Sequence, residues 1–217
     1  MPGALLFDLD GTLVDTAPDF TRILNAMRSA LQLPELDISV VRRWVSQGAR
    51  HVIVRGFADY SLDPAQLETL RLEFLSRYEQ LTCYESRLFT GMPALITELE
   101  AHGHAWGIVT NKPERYTTPL LQALDLHPGA VICPDHVQQS KPDPEGLLLA
   151  CRQLGCSAPS SLYVGDHERD IEAGRRAGMR TIAVTWGYIL EGDDPHNWHA
   201  DFLMTQPQQL SSLLHLI

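Results

Sequence analysis

A short apolar run, Ala4-Leu5-Leu6-Phe7, leads into Asp8-Leu9-Asp10-Gly11-Thr12. A strand sends residues i and i+2 to the same side, so a strand reaching Asp8 sets its carboxylate beside that of Asp10. Like charges so placed repel and perturb each other's proton affinity. A bound cation is the usual way to hold them together, and Gly11 lets the backbone approach a ligand closely. The pattern reads as a cation and phosphate site at a strand end. One carboxylate is free to attack and the other to move protons.

Around this strand the chain alternates. Strand-like runs cover Ala4–Asp8, Ala105–Thr110, Val131–Cys133, Ser161–Val164, Thr181–Thr185 and Phe202–Met204. Between them lie the amphipathic stretches Met92–Ala101, Thr117–Leu124, Pro144–Leu154 and Arg169–Ala177. Such alternation predicts an α/β fold, a Rossmann-like parallel sheet with helices on both faces. Ligands bind such sheets at the carboxyl ends of the strands, where Asp8, Thr110 and Asp166 are all expected.

One interval breaks the pattern. From Thr16 to Arg87 only helical spacing occurs, as in Phe20, Ile23, Leu24, Met27 and Leu31, and again in Leu67, Leu70, Phe74, Leu75 and Tyr78. Ile38–Val45 and Arg50–Phe57 are also helix-like, and Pro18 and Pro64 suit first-turn positions. The expectation is an α/β core from 1–15 and 88–217 with an all-helical insertion over 16–87.

Three further motifs come in order: Ala105-Trp106-Gly107-Ile108-Val109-Thr110-Asn111, Ser140-Lys141-Pro142-Asp143-Pro144, and Leu162-Tyr163-Val164-Gly165-Asp166 with Asp170 four residues on. Together with Asp8-Leu9-Asp10-Gly11-Thr12 they resemble the four motifs of the haloacid-dehalogenase (HAD) superfamily phosphatases. The insertion resembles the helical cap of their phosphoglycolate-phosphatase-like branch. The resemblance implies an aspartyl-phosphate route. Asp8 would attack phosphorus; Asp10 would protonate the leaving alkoxide and then deprotonate the hydrolytic water. It further implies Mg²⁺ on Asp8, the backbone carbonyl of Asp10, and Asp166, with Asp170 behind them or acting through water. Thr110, Lys141 and the backbone N–H groups around Gly11 and Asn111 would hold the phosphoryl oxygens.

Composition narrows the partners. The 217 residues carry a net charge of -10, which argues against nucleic acid or an anionic membrane, since both select basic surfaces. The expected partner is a small-molecule phosphate ester, handled by a monomer or homodimer. Lysine occurs only at 112 and 141. Cys83, Cys133, Cys151 and Cys156 form no CxxC pair, and Met1-Pro2-Gly3 runs straight into the first strand, so a reduced cytoplasmic protein is expected. His196 and His199 lack the spacing and partners of a zinc site.

The substrate is less constrained. Val45-Ser46-Gln47-Gly48-Ala49-Arg50 is a glycine loop ending in an arginine, and Arg50 suits a substrate carboxylate. Asp15–Phe20, Ser46–Arg50, Cys133–Val137 and the tail from Trp186 to Trp198 resemble bacterial N-acetylmuramic acid 6-phosphate phosphatases. A 2-phosphoglycolate phosphatase is the alternative. Phosphonate cleavage, which needs a cap lysine, is excluded because 16–87 contains none. A pseudo-enzyme that only binds phospho-ligands is the rival of another class.

Overall fold

The computed structural model describes residues 2–81 and 83–217. Six parallel strands form one sheet: β1 (Ala4–Phe7), β4 (Ala105–Val109), β5 (Ala130–Ile132), β6 (Leu162–Gly165), β7 (Arg180–Val184) and β8 (Phe202–Met204). Their order is β5-β4-β1-β6-β7-β8. All four residues of β1 are buried, and they alternate between layers: Leu5 and Phe7 join one hydrophobic cluster, Ala4 and Leu6 the other. Each fully buried Leu or Phe of this kind contributes about 1.5–3 kcal/mol.

The two faces are covered by different helices. Leu95, Ile96 and Leu99 of α5 (Met92–Ala101) and Leu120 and Leu121 of α6 (Glu114–Ala123) pack into the cluster of Leu5 and Phe7. Leu147, Ala150 and Cys151 of α7 (Glu145–Leu154) and Ala173 of α8 (Glu168–Arg176) pack into the other. Counted by chain order, the central β1 has the second strand on one side and the fourth on the other. The strand order therefore reverses between β1 and β6, and the crevice outside that point is where such folds bind ligands.

The remaining helices form a layer of their own: α1 (Ala17–Ala30), α2 (Ile38–Val45), α3 (Gly48–Gly56) and α4 (Pro64–Gln80). Pro18 and Pro64 sit in first turns, and Asp63 caps α4 in a reciprocal pair with Gln66. Phe20, Ile23, Leu24, Val41, Val52, Phe74 and Tyr78 make this layer's core, joined by Tyr116 and Tyr188 from the sheet side. Arg28 is buried within it. Its guanidinium donates to both Asp59 oxygens at 2.7 and 2.9 Å and to carbonyls of Pro34 and Gly56. Among the described residues no helix is long and apolar enough to cross a membrane.

Boundaries shift where turn chemistry outweighs periodicity. α6 begins at Glu114, three residues before the expected start, because Pro113 serves as its cap residue. α3 begins at Gly48 rather than Arg50. Helical spacing also hides a two-stranded antiparallel ribbon, β2 (Val14–Asp15) with β3 (Arg87–Leu88), where the chain enters and leaves the helical layer. Two-residue strands carry no period to read.

Candidate active site

Asp8 directly succeeds β1, Thr110 succeeds β4, and Asp166 succeeds β6, so the parallel register brings three strand ends to one mouth. Lys141 reaches the same point from the loop before α7. Its ammonium donates to Asp8 Oδ1 at 2.7 Å and to the Tyr163 hydroxyl at 2.8 Å, and pairs with Asp170 Oδ1 at 2.7 Å. The Tyr163 hydroxyl in turn donates to the Val109 carbonyl at 2.9 Å. Burial works against the Lys141 charge, but the Asp170 and Asp8 carboxylates outweigh it and raise its pKa. Burial and the same two carboxylates push the Tyr163 phenol well above its ordinary value.

Asp8, Asp166 and Asp170 are buried, with carboxylate oxygens within 4.8 Å of one another. One lysine serves Asp8 and Asp170. Among the described residues Asp166 has only neutral donors: the Thr12 hydroxyl at 3.0 Å, the Tyr188 N–H at 2.8 Å and, more distantly, the Ser46 hydroxyl at 3.5 Å. Burial, with Asp8 and Asp170 beside it, pushes the Asp166 carboxyl up to about 7. Three carboxylates against one ammonium leave an excess negative charge. An all-oxygen donor set of this kind suits a hard divalent cation.

That imbalance has a pH signature. Between the ordinary value of 3.8 and about 7 the folded protein keeps a proton on Asp166 that the unfolded chain has released. Stability of the metal-free protein therefore falls as pH rises through that window and levels off above it. Adding a divalent cation is expected to raise the melting temperature strongly at pH 8 and little at pH 5. Thermal melts with and without the cation check this, and an equal shift at both pH values would count against the cluster as a cation site.

Gly11 contributes differently from expectation. Its N–H donates to the Val14 carbonyl at 2.9 Å and so is spent inside the turn. Its φ is +88°, and a Cβ there would lie 2.1 Å from Asp166 Oδ2. The residue is needed so that Asp166 can come in, rather than to donate to a ligand. The N–H groups of Asp10 and Asn111 find no acceptor among the described residues. Asn111 donates its side-chain amide to the Lys141 carbonyl at 3.1 Å and leaves its buried Oδ1 without a partner.

Asp10 stands apart from the three-carboxylate cluster. Its side chain accepts from Thr16 Oγ1 at 2.6 Å and from Lys112 Nζ at 3.0 and 3.2 Å. Lys112 also donates to the Tyr78 hydroxyl at 2.9 Å. Nothing in the sequence assigned Lys112, Tyr78, Tyr163 or Thr16 to the site. The one available signal was that Lys112 is half of the chain's lysine complement.

Above these groups lies a cavity of about 350 Å³ between the sheet and the helical layer. Asp8, Asp10, Thr110 and Asn111 form its floor, and Phe20, Leu75, Tyr78 and Tyr116 give it an apolar wall. Arg50, from α3, and Arg115, at the start of α6, also line it. Neither guanidinium has a carboxylate within salt-bridge distance among the described residues, whereas Arg71 is held by Glu68. The helical layer directly touches the segment that follows β6. Arg169 donates to the Ser46 carbonyl at 2.6 Å, and Gln47 meets His167 at 2.9 Å. Burial and Arg169 hold that imidazole down at about 4, so it is neutral. His196 and His199 are exposed and are not part of the acidic cluster; His196 pairs with Asp194 at 2.7 Å.

The family model described as Haloacid dehalogenase-like hydrolase matches residues 5–184. The chain is a haloacid dehalogenase-like hydrolase. Among curated proteins it is similar to an N-acetylmuramic acid 6-phosphate phosphatase of Pseudomonas aeruginosa, 48% identical over 97% of this chain and 94% of that one. It is also similar to a phosphoglycolate phosphatase of Xanthomonas campestris, 45% identical over 96% and 95%. Among solved structures, a predicted phosphoglycolate phosphatase from Haemophilus somnus superimposes with a TM-score of 0.85 and 25% identity, covering 98% of this chain and 97% of that one. This HAD protein is accordingly a phosphatase acting on a phosphate ester.

Proposed function

We propose that this HAD phosphatase hydrolyses a carboxylate-bearing sugar phosphate, N-acetylmuramic acid 6-phosphate, with Mg²⁺ held by Asp8, the Asp10 carbonyl and Asp166, and with Asp170 behind them or acting through water. The observation that carries the substrate reading is the cavity. At about 350 Å³ it falls within the ~300–1,000 Å³ typical of pockets that bury a drug-sized ligand. A two-carbon ester such as 2-phosphoglycolate would fill little of it. The apolar wall suits a pyranose face and an acetamido methyl, and the guanidiniums of Arg50 and Arg115, neither held by a carboxylate among the described residues, suit a substrate carboxylate. The Pseudomonas relative's activity and its near-full coverage support the same reading.

The chemistry arises from the floor. Asp8 attacks phosphorus in line with the leaving oxygen and becomes an acyl phosphate. Asp10 gives a proton to the departing alkoxide and later takes one from the attacking water. Thr110, Lys141 and the free N–H groups of Asp10 and Asn111 stabilise the charge that spreads over the phosphoryl oxygens. Mg²⁺ would supply Lewis acidity there and neutralise the excess carboxylate charge. Residues 1–15 and 88–217 serve as the catalytic core and 16–87 as the cap. Closure of the cap excludes water from the intermediate.

Phosphate release would be measured with Mg²⁺ from N-acetylmuramic acid 6-phosphate, N-acetylglucosamine 6-phosphate and 2-phosphoglycolate. The expected result is a preference in kcat/KM of about a hundredfold for the muramic ester, roughly 2.7 kcal/mol. A preference for 2-phosphoglycolate would overturn the substrate and leave the phosphatase.

A further inference from the structure

The two lysines of this chain do separate jobs, and only one of them faces the attacking carboxylate. Lys141 meets Asp8 and Asp170. Lys112 meets Asp10, with its side chain 6% exposed. A lysine ammonium has three donors, and the contacts of Lys112 use them: both Asp10 oxygens and the Tyr78 hydroxyl. It cannot turn to a phosphoryl oxygen without releasing one of them. Its backbone is fixed as well. The Lys112 N–H donates to Thr110 Oγ1 at 3.1 Å, and its carbonyl accepts from Thr117 Oγ1 at 3.2 Å. The ammonium lies 4.6 Å from the Tyr78 ring centroid and 5.5 Å from that of Phe20. Both aromatics belong to the helical layer.

Asp10, by contrast, sits in a turn outside the sheet, and its carboxylate has only two kinds of tether. Thr16 Oγ1 and Lys112 share Oδ1, while Lys112 alone reaches Oδ2, at 3.2 Å. Oδ2 is therefore the oxygen with room for a substrate proton. We propose that Lys112 is a positioning residue: it aims the Asp10 carboxylate for proton transfer and, through Tyr78, makes that aim depend on α4 being seated on the core. The assignment rests on reading Asp10 as the proton-transfer group. A carboxylate misplaced by about 1 Å loses on the order of a hundredfold in rate.

Leaving-group dependence tests this, because p-nitrophenolate departs without a proton whereas a sugar alkoxide needs one. The full-length enzyme with Mg²⁺ is assayed as Lys112→Met, Lys112→Arg and Tyr78→Phe on a sugar 6-phosphate and on p-nitrophenyl phosphate. For Lys112→Met, kcat/KM is expected to fall about a hundredfold on the sugar ester and less than about tenfold on the aryl ester. Lys112→Arg should recover part of the loss. Tyr78→Phe, which removes one hydroxyl from a folded protein, should shift the ratio in the same direction by less. Equal losses on both esters, or none on either, overturn the proposal. If Lys112→Met does not fold, an unchanged ester ratio in Tyr78→Phe overturns it alone. Asp10→Asn run alongside separates the two readings. If it shows leaving-group dependence and the Lys112 variants do not, only the Lys112 assignment falls. If it shows none, Asp10 is not the proton-transfer group and both fall.

Discussion

Asp8→Asn is expected to abolish phosphate release, with kcat falling by about 10⁵-fold or more, roughly 7 kcal/mol of barrier. An amide cannot form the acyl phosphate, and no other carboxylate takes its place. Asp166 and Asp170 lie past β6 and in the first turn of α8, and Asp10 faces Lys112. The substitution keeps the side chain's shape and leaves an oxygen for Lys141 to reach. It also removes one of the carboxylates that raise the Asp166 pKa. The fold should therefore be as stable as before, or more so in the absence of metal. Phosphate release under single-turnover conditions, paired with a thermal melt, reads both effects. Activity within a hundredfold of the unmodified enzyme would remove Asp8 from the nucleophile's role.

Lys141→Met is expected to strike stability as well as rate. The ammonium is 2% exposed and stands against two carboxylates that are 6% and 0% exposed. Taking away one partner of a buried ion pair costs about 3–5 kcal/mol, because the other charges stay buried without compensation. Here Asp8 and Asp170 would lose the ammonium that pairs with both, leaving only the more distant Arg169 charge to act on Asp170. The urea midpoint at pH 8 should drop sharply. The deficit should narrow as pH falls, since protonated carboxyls no longer repel and the folded state then binds the extra protons. An unchanged midpoint at pH 8 would show that the lysine does not carry this charge balance. Release of phosphate should be lost at every pH.

Much of this site was legible because its main groups sit at strand ends, where a short apolar run predicts both the strand and the edge of the sheet at which it stops. Asp8, Thr110 and Asp166 are found that way, and parallel register does the rest. The groups that tether them are a different matter. Tyr163 lies within β6 and looks like a core aromatic; only the register across β1 and β4 shows its hydroxyl bridging Val109 and Lys141. Tyr78 keeps helical spacing in α4, which hides the hydrogen bond from Lys112. Tyr188 lies past β7 in a loop without pattern, yet its hydroxyl accepts from the N–H groups of Thr16 and Ala17 and binds Asp15. Gly11 was legible as special but not for its reason, since the group that approaches it comes from 155 residues further along the chain.

The ribbon of β2 and β3 has a mechanical meaning. Val14 pairs with Leu88 and Asp15 with Arg87, so the outgoing and returning strands are fastened to each other. Asp19, at the start of α1, adds a second fastening through the N–H groups of Glu85 and Ser86. A body hung from two separate threads can shear and twist; one hung from two threads tied together behaves as though on a single pin. The helical layer is thus joined to the core at one tied point, and it meets the core again where Arg169 donates to the Ser46 carbonyl and Gln47 meets His167. A crosslink between Gln47 and His167 would therefore close a loop between two anchorage points, the ribbon at one end and this contact at the other.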